Sequence, residues 1–209
     1  MHNRKPAVIA ITGGMGTGQS TVCQFLQKLG AKTINADTVA KREIEGNPQL
    51  QKELKKTFGA KIFYRNGKLN RKLLAKIAFS DEAKTARLNK IVHPQMVSRI
   101  IDIIEESRES GKYKLIVVDA ALIYELSLEH MFDAVVVVTS KMKNRHERIK
   151  KRDQLNEKEI NDRMSKQIPI EEKIQWADFV IENNESLDLL EKRTVKLFHD
   201  LKKLPSKIS

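Results

Sequence analysis

Apolar positions along the chain follow two alternating rhythms, and these predict its elements. Ala7 to Thr12 is a continuous apolar run bounded by Pro6 and Gly13, the pattern of a strand buried on both faces. Beyond the glycines, Val22, Phe25, Leu26 and Leu29 recur at i, i+3, i+4 and i+7, which predicts a helix over 21–29 closed by Gly30. A second short strand at 32–35 gives way to a polar helix. Apolar runs at 114–119, 134–139 and 178–182 predict three more buried strands, with helical patterns at 141–152, 156–166 and 186–202. Strands alternating with helices predict an α/β domain built on a parallel sheet.

The stretch 46–111 interrupts that alternation. It holds no strong strand and runs through helical patterns at 47–57, 70–79 and 81–109, the last broken at His93-Pro94. The expected organisation is a core of residues 1–45 and 112–209 with a helical insertion at 46–111. The tail from Lys202 to Ser209 reads as frayed.

Composition changes this picture little. The chain has 209 residues, 40% hydrophobic and 32% charged, enough for one sizeable soluble domain or a core with an insertion. A net charge of +12 invites a nucleic-acid reading. The charges are scattered over helices, however, and aromatic residues for base stacking are few, so a small polyphosphate ligand and no nucleic-acid partner is the expectation. A single cysteine, Cys23, excludes an intramolecular disulfide, suits a reducing cytoplasm and reads as a small core residue in its helix. The apolar run near the N-terminus is shorter than the ~7 to 15 residues of a signal-peptide core and far shorter than the ~20 of a membrane span. A cytoplasmic protein without a membrane partner is expected.

The chemistry concentrates at residues 13–20, GGMGTGQS, directly after the first strand and before the first helix. A phosphate-cradling loop of the form G-x-x-x-x-G-K-[ST] is matched at Gly13, Gly18 and Ser20, while Gln19 stands where that pattern has lysine. Glycines let successive backbone N–H groups turn inward, and the helix N-terminus adds its dipole. Gly14, Gly16, Thr17, Gly18, Gln19, Ser20 and Thr21 are therefore the candidate nucleotide-binding residues, with the Ser20 hydroxyl a ligand for Mg²⁺. Gln19 can donate a hydrogen bond but brings no charge. A charge-assisted contact is roughly twice as strong as a neutral one, so binding is expected to survive and turnover to be slow.

Two acids end strands. Asp37 follows the second, where it can take a proton from a substrate hydroxyl or cap a helix. Asp119 ends the third, as an acid orienting Mg²⁺ or as a plain strand-to-loop cap. Of the basic run Arg145, Arg148, Lys150, Lys151 and Arg152, the pair Arg148 and Arg152 share a helix face and suit a lid closing on phosphates. Arg145, Lys150 and Lys151 read as a solvated face. His93, ahead of a proline in the helical stretch, reads as structural on its chemistry alone.

In this order the stretches ITGGMGTGQSTV, INADTVAKREIEGNP, FGAKIF, GKLNRKLLAKIAF, LNKIVHP, VVDAALIYE, RIKKRD and MSKQIPIEEKIQWADFVIENN resemble the dephospho-CoA kinase family over residues 8–203. The resemblance implies a P-loop kinase fold, with a parallel sheet flanked by helices, a helical insertion that helps hold a CoA-type substrate and a lid at about 145–168. It implies transfer of the γ-phosphoryl group of ATP to the ribose 3′-hydroxyl of dephospho-CoA with Mg²⁺. Asp37 then matches the acid acting on that hydroxyl, Arg148 and Arg152 match phosphate-contacting arginines, and His93, Leu122 and Glu125 match positions near the acceptor. The chain departs from the family pattern at Gln19, at Asn35 in place of the first acid of Asp-Ala-Asp, and at Ala121 in place of a proline, where loop stiffness is at stake. The rival readings are a non-catalytic nucleotide binder of the same fold, a nucleic-acid-binding protein, and a kinase for another small acceptor.

Overall fold

A computed structural model of the chain describes residues 5–153 and 156–206. Five strands form one sheet: β1 (Ala7–Gly13), β2 (Lys32–Asn35), β3 (Leu115–Asp119), β4 (Ala134–Thr139) and β5 (Phe179–Glu182). The order is β2-β3-β1-β4-β5 and every pairing is parallel. Every residue of β1 is buried, as the unbroken apolar run requires of a central strand covered on both faces. Its neighbours lie on opposite sides, β3 and β4, so the chain leaves β1 at the point where the sheet changes direction. In open α/β sheets the crevice at such a point, beyond the carboxyl ends of the strands, is where ligands bind.

Helix α1 (Gln19–Lys28) packs on one face with α9 (Leu187–Leu201); Val22, Phe25, Leu26, Leu190, Leu197 and Phe198 close that core against Ile9, Ile11, Val117 and Val136. On the other face Ala10, Val135 and Val137 meet Ile123, Tyr124 and Ile170. Cys23 is buried in the first of these cores.

The chain divides into two compact units, one containing residues up to Asn35 and from Ile104 onward, the other Ala36–Ile103. The second holds α2 (Ala36–Gly46), α3 (Pro48–Phe58) and α4 (Arg71–Ala78), with most of α5 (Glu82–Glu109). Leu50, Leu54, Ile62, Leu74, Ala78, Leu88 and Val92 form its core. Asn47 and Asn70 cap α3 and α4 through their side-chain oxygens, so these helix starts are written in the sequence. The second unit begins directly after β2, at Ala36.

One expectation fails here. Helix α5 runs through Pro94 without a break. Proline in a helix interior costs about 3 kcal/mol. Against this, Leu88, Val92, Met96, Ile100 and Ile104 are all buried at four-residue spacing on both sides of the proline, and each buried apolar side chain contributes about 1.5–3 kcal/mol. Pro94 itself lies on the exposed face, where water can reach the carbonyl it leaves unbonded.

After β4 come α6 (Met142–Asp153), α7 (Glu157–Met164) and α8 (Ile170–Trp176). Within the expected lid, positions 154 and 155 lie outside the described residues, as do 207–209 of the expected frayed tail. Among the described residues no helix is long and apolar enough to cross a membrane.

Candidate active site

The loop between β1 and α1 turns on Gly16 and Gly18, with φ of 80° and 92°, a region that side chains with a Cβ avoid. Gly18 stands at the N-cap of α1 with no side-chain cap, so the first backbone N–H groups of the helix face outward, as an anion site requires. Thr17 is the keystone. It is fully buried, its N–H donates to the Gly14 carbonyl at 3.2 Å, and its carbonyl accepts from Asn183 Nδ2 at 2.8 Å. Thr17 thereby shapes the cradle, while Ser20 is exposed at its mouth.

Three residues outside the loop hold it from behind. Arg145 Nε donates to the Met15 carbonyl at 2.9 Å, and Gln167 Oε1 accepts from the Met15 N–H at 3.1 Å. Asn183 secures Thr17 and is itself fixed by Ser140, whose hydroxyl donates to the Asn183 carbonyl at 2.7 Å. The expectation that Arg145 belongs to a solvated face is corrected: it is buried, and its guanidinium presses on Gly14, where a Cβ would come within 2.5 Å of Nη2. Burial pulls the Arg145 pKa down and Glu171 pulls it back up. A helix emerging from the sheet next to the loop turns this residue inward, which charge-run reasoning misses. Lys150 and Lys151 are exposed, as expected of them.

Arg148 reaches the loop. Its Nη1 donates to the carbonyls of Gly16 and Thr17, both at 3.4 Å, and to Ser140 Oγ at 3.2 Å, while Nη2 donates to the Asn183 carbonyl at 3.0 Å. Arg152 does not join it. It lies exposed, in a two-pronged pair with Asp153 at 2.7 and 2.8 Å that raises its pKa.

Gln19 and Asp119 form the front of the site. Gln19 Nε2 donates to Asp119 Oδ1 at 2.5 Å and to the Ile11 carbonyl at 2.9 Å. Asn35 Nδ2 donates to Asp119 Oδ2 at 2.9 Å, a pairing dictated by the β2–β3 register, which sets Asn35 beside Asp119. Cys23 adds a thiol contact to the same carboxylate; burial, then the charge and hydrogen bond of Asp119, push its pKa well up. Asp119 is thus a buried carboxylate held by surrounding donors, beyond a plain strand cap.

Glu125 and Leu122 lie in the turn after β3. Glu125 pairs with the fully buried Lys173 at 2.6 Å and accepts from the Ile168 N–H at 3.0 Å, which ties this turn to the segment between α7 and α8. Lys173 also donates to the Ala121 carbonyl at 3.0 Å, and the Thr12 hydroxyl reaches the same oxygen at 3.2 Å. Two side chains therefore hold the turn at position 121. Leu122 is half-buried beside them.

In the helical unit, Asp37 is the second residue of α2 and exposed in its first turn. It sits inside the helix rather than at its cap, where the helix dipole favours a carboxylate. His93 is half-buried on α5, and burial lowers its pKa.

A central parallel strand, a glycine loop opening a helix, and an acid at the end of the neighbouring strand define a P-loop phosphotransferase. The family model for dephospho-CoA kinase matches residues 7–188, and the chain belongs to that family. A dephospho-CoA kinase of Bacillus licheniformis is 39% identical over 181 residues, covering 86% of this chain and 89% of that protein. One from Listeria monocytogenes is 36% identical over 185 residues, covering 88% and 92%. Among solved structures, a Thermus thermophilus protein superposes with a TM-score of 0.79 at 28% identity, covering 95% of this chain and 99% of that one. Dephospho-CoA kinase from Campylobacter jejuni gives 0.66 at 26%, with the same coverage. The chain is accordingly an ATP-dependent kinase that phosphorylates dephospho-CoA in coenzyme A synthesis.

Proposed function

We propose the following division of roles in phosphoryl transfer from ATP to the ribose 3′-hydroxyl of dephospho-CoA in the cytoplasm. The observation that carries it is the Gln19–Asp119 contact at the open end of the loop. It places the strand-terminal acid, the loop and the start of α1 in one frame. Within Gly16 to Thr21 the N–H groups not bonded inside the loop serve the phosphates, while Thr17 and Thr21 donate to the carbonyls of Gly14 and Gly18 and so shape the turn behind them. Arg148 lends its charge to the loop from the rear.

The donor set suits Mg²⁺. Ser20 offers a hydroxyl and Asp119 a carboxylate whose two oxygens keep acceptor capacity beyond Gln19 and Asn35. Phosphate oxygens of the nucleotide would complete the metal's shell. When bound, the ion would offset charge on the β- and γ-phosphate oxygens.

Asp37 takes the proton of the 3′-hydroxyl as that oxygen bonds to the γ-phosphorus and the bond to the β-phosphate oxygen breaks. Arg152, free to leave Asp153 at the surface, serves the phosphates from the lid, and His93, Leu122 and Glu125 serve the acceptor side. For Glu125 this is an indirect role through its bonds to Lys173 and Ile168.

The decisive measurement is ADP release and CoA formation with ATP, Mg²⁺ and dephospho-CoA, for the protein as it stands and for Gln19→Lys. Slow but real CoA formation, raised in Gln19→Lys, is expected. Tight ATP binding without CoA above a no-enzyme control decides for a non-catalytic binder. Faster turnover of another small acceptor decides for a different substrate.

A further inference from the structure

Asp119 is approached from two sides by amides, and both are uncharged. Gln19 reaches Oδ1 at 2.5 Å from the first residue of α1, and Asn35 reaches Oδ2 at 2.9 Å from the last residue of β2. Gln19 and Asn35 bring no charge, so these three side chains together carry the single negative charge of Asp119. An acid at 35 would set a second carboxylate, at an exposed position, about where Asn35 now donates, and like charges that close repel and disfavour each other's ionised form unless a cation stands nearby. A lysine at 19 would supply that cation on the opposite oxygen. Neutral 19 with neutral 35 and cationic 19 with anionic 35 both leave the cluster at −1; the mixed combinations do not.

We infer that Gln19 and Asn35 are a matched pair of positioning residues, which orient the Asp119 carboxylate and hold the cluster at one negative charge in a loop without lysine. The pairing explains how a chain with glutamine in its phosphate loop keeps an ordered acid at the neighbouring strand end. This rests on the reading of Asp119 as part of the nucleotide site.

A double-mutant cycle on the full chain tests it, with Gln19→Lys and Asn35→Asp made singly and together. MgATP affinity is measured by calorimetry and the urea midpoint without nucleotide. Asn35→Asp alone is expected to weaken MgATP binding about fivefold or more and to lower the midpoint, whereas in the Gln19→Lys background the same replacement changes the affinity less than about twofold. Equal fold-changes in both backgrounds overturn the pairing. Should Asn35→Asp alone not fold, a folded Gln19→Lys/Asn35→Asp protein binding MgATP supports it, and failure of both to fold overturns it. Neither readout uses dephospho-CoA, so an inactive parent would strike the assigned acceptor and leave this cycle standing.

Discussion

Arg145 Nε holds the Met15 carbonyl at 2.9 Å while the same guanidinium lies against Gly14. A residue of α6 thus fixes the back of the phosphate loop without pointing into it. Gln167 holds the other side of the Met15 peptide, so both its N–H and its carbonyl are committed to the protein and the loop's free donors begin further on.

Loss of that clamp should loosen the cradle. Hydrogen bonds from charged groups contribute about 1.5–3 kcal/mol. Arg145→Ala is expected to weaken MgATP binding by roughly ten- to a hundredfold, read by calorimetry. Arg145→Lys restores little, since an ammonium on a flexible stem does not reproduce the planar contact with both Met15 and Gly14. Gly14→Ala should act in the same direction, because its methyl group meets the guanidinium. Unchanged affinity in Arg145→Ala would show that the loop keeps its shape unaided.

The Lys173–Glu125 pair predicts a stability effect. Lys173 is fully buried, its partner is 14% exposed in its side chain, and Glu125 Oε2 is buried without a hydrogen-bond partner among the described residues. Removing one member of a buried pair typically costs about 3–5 kcal/mol, because the other charge is left stranded. Lys173→Met should therefore lower the urea midpoint far more than Lys173→Met combined with Glu125→Leu. If the double replacement is as unstable as the single, the pair is not the unit that matters.

Much of this architecture is legible in the chain. Three apolar runs became the inner strands β1, β3 and β4, because strands buried on both faces must be apolar throughout. The edge strands β2 and β5 bury only Ile34 and Ile181, so the run at 178–182 is a strand but not the buried one expected; the glycine loop fell where strand meets helix. The residues that escaped reading are those whose role depends on register or approach. Asn35 meets Asp119 only through β2–β3 pairing, and Asn183 meets Thr17 across 166 positions. Arg145 looked like one more lysine-rich surface charge because sequence spacing alone does not tell which turn of α6 faces the loop. Pro94 misled in the opposite sense, as a local breaking signal overruled by a buried stripe.

That stripe makes Pro94→Ala informative. Alanine restores an N–H donor and removes the ring's clash on an exposed face, so the urea midpoint should rise, with a gain of about 1–3 kcal/mol bounded by the usual proline penalty. A fall in stability would mean that the helix is bent to fit its core and needs the proline.

His93 predicts a pH dependence. Burial disfavours its charged form, so the folded-state pKa lies below the ordinary value near ~6.5 of the unfolded chain. The unfolded state then binds more protons between the two values, and stability rises with pH across that window. Its cost is absent above about pH 7 and develops as pH falls through ~6.5, reaching its full size below the folded pKa. His93→Gln should flatten that part of the profile between about pH 5 and 7, measured as urea midpoints at closely spaced pH values, while the midpoint at pH 8 moves only by the packing difference. A profile with the same slope in both proteins would mean that His93 titrates alike in the folded and unfolded chain.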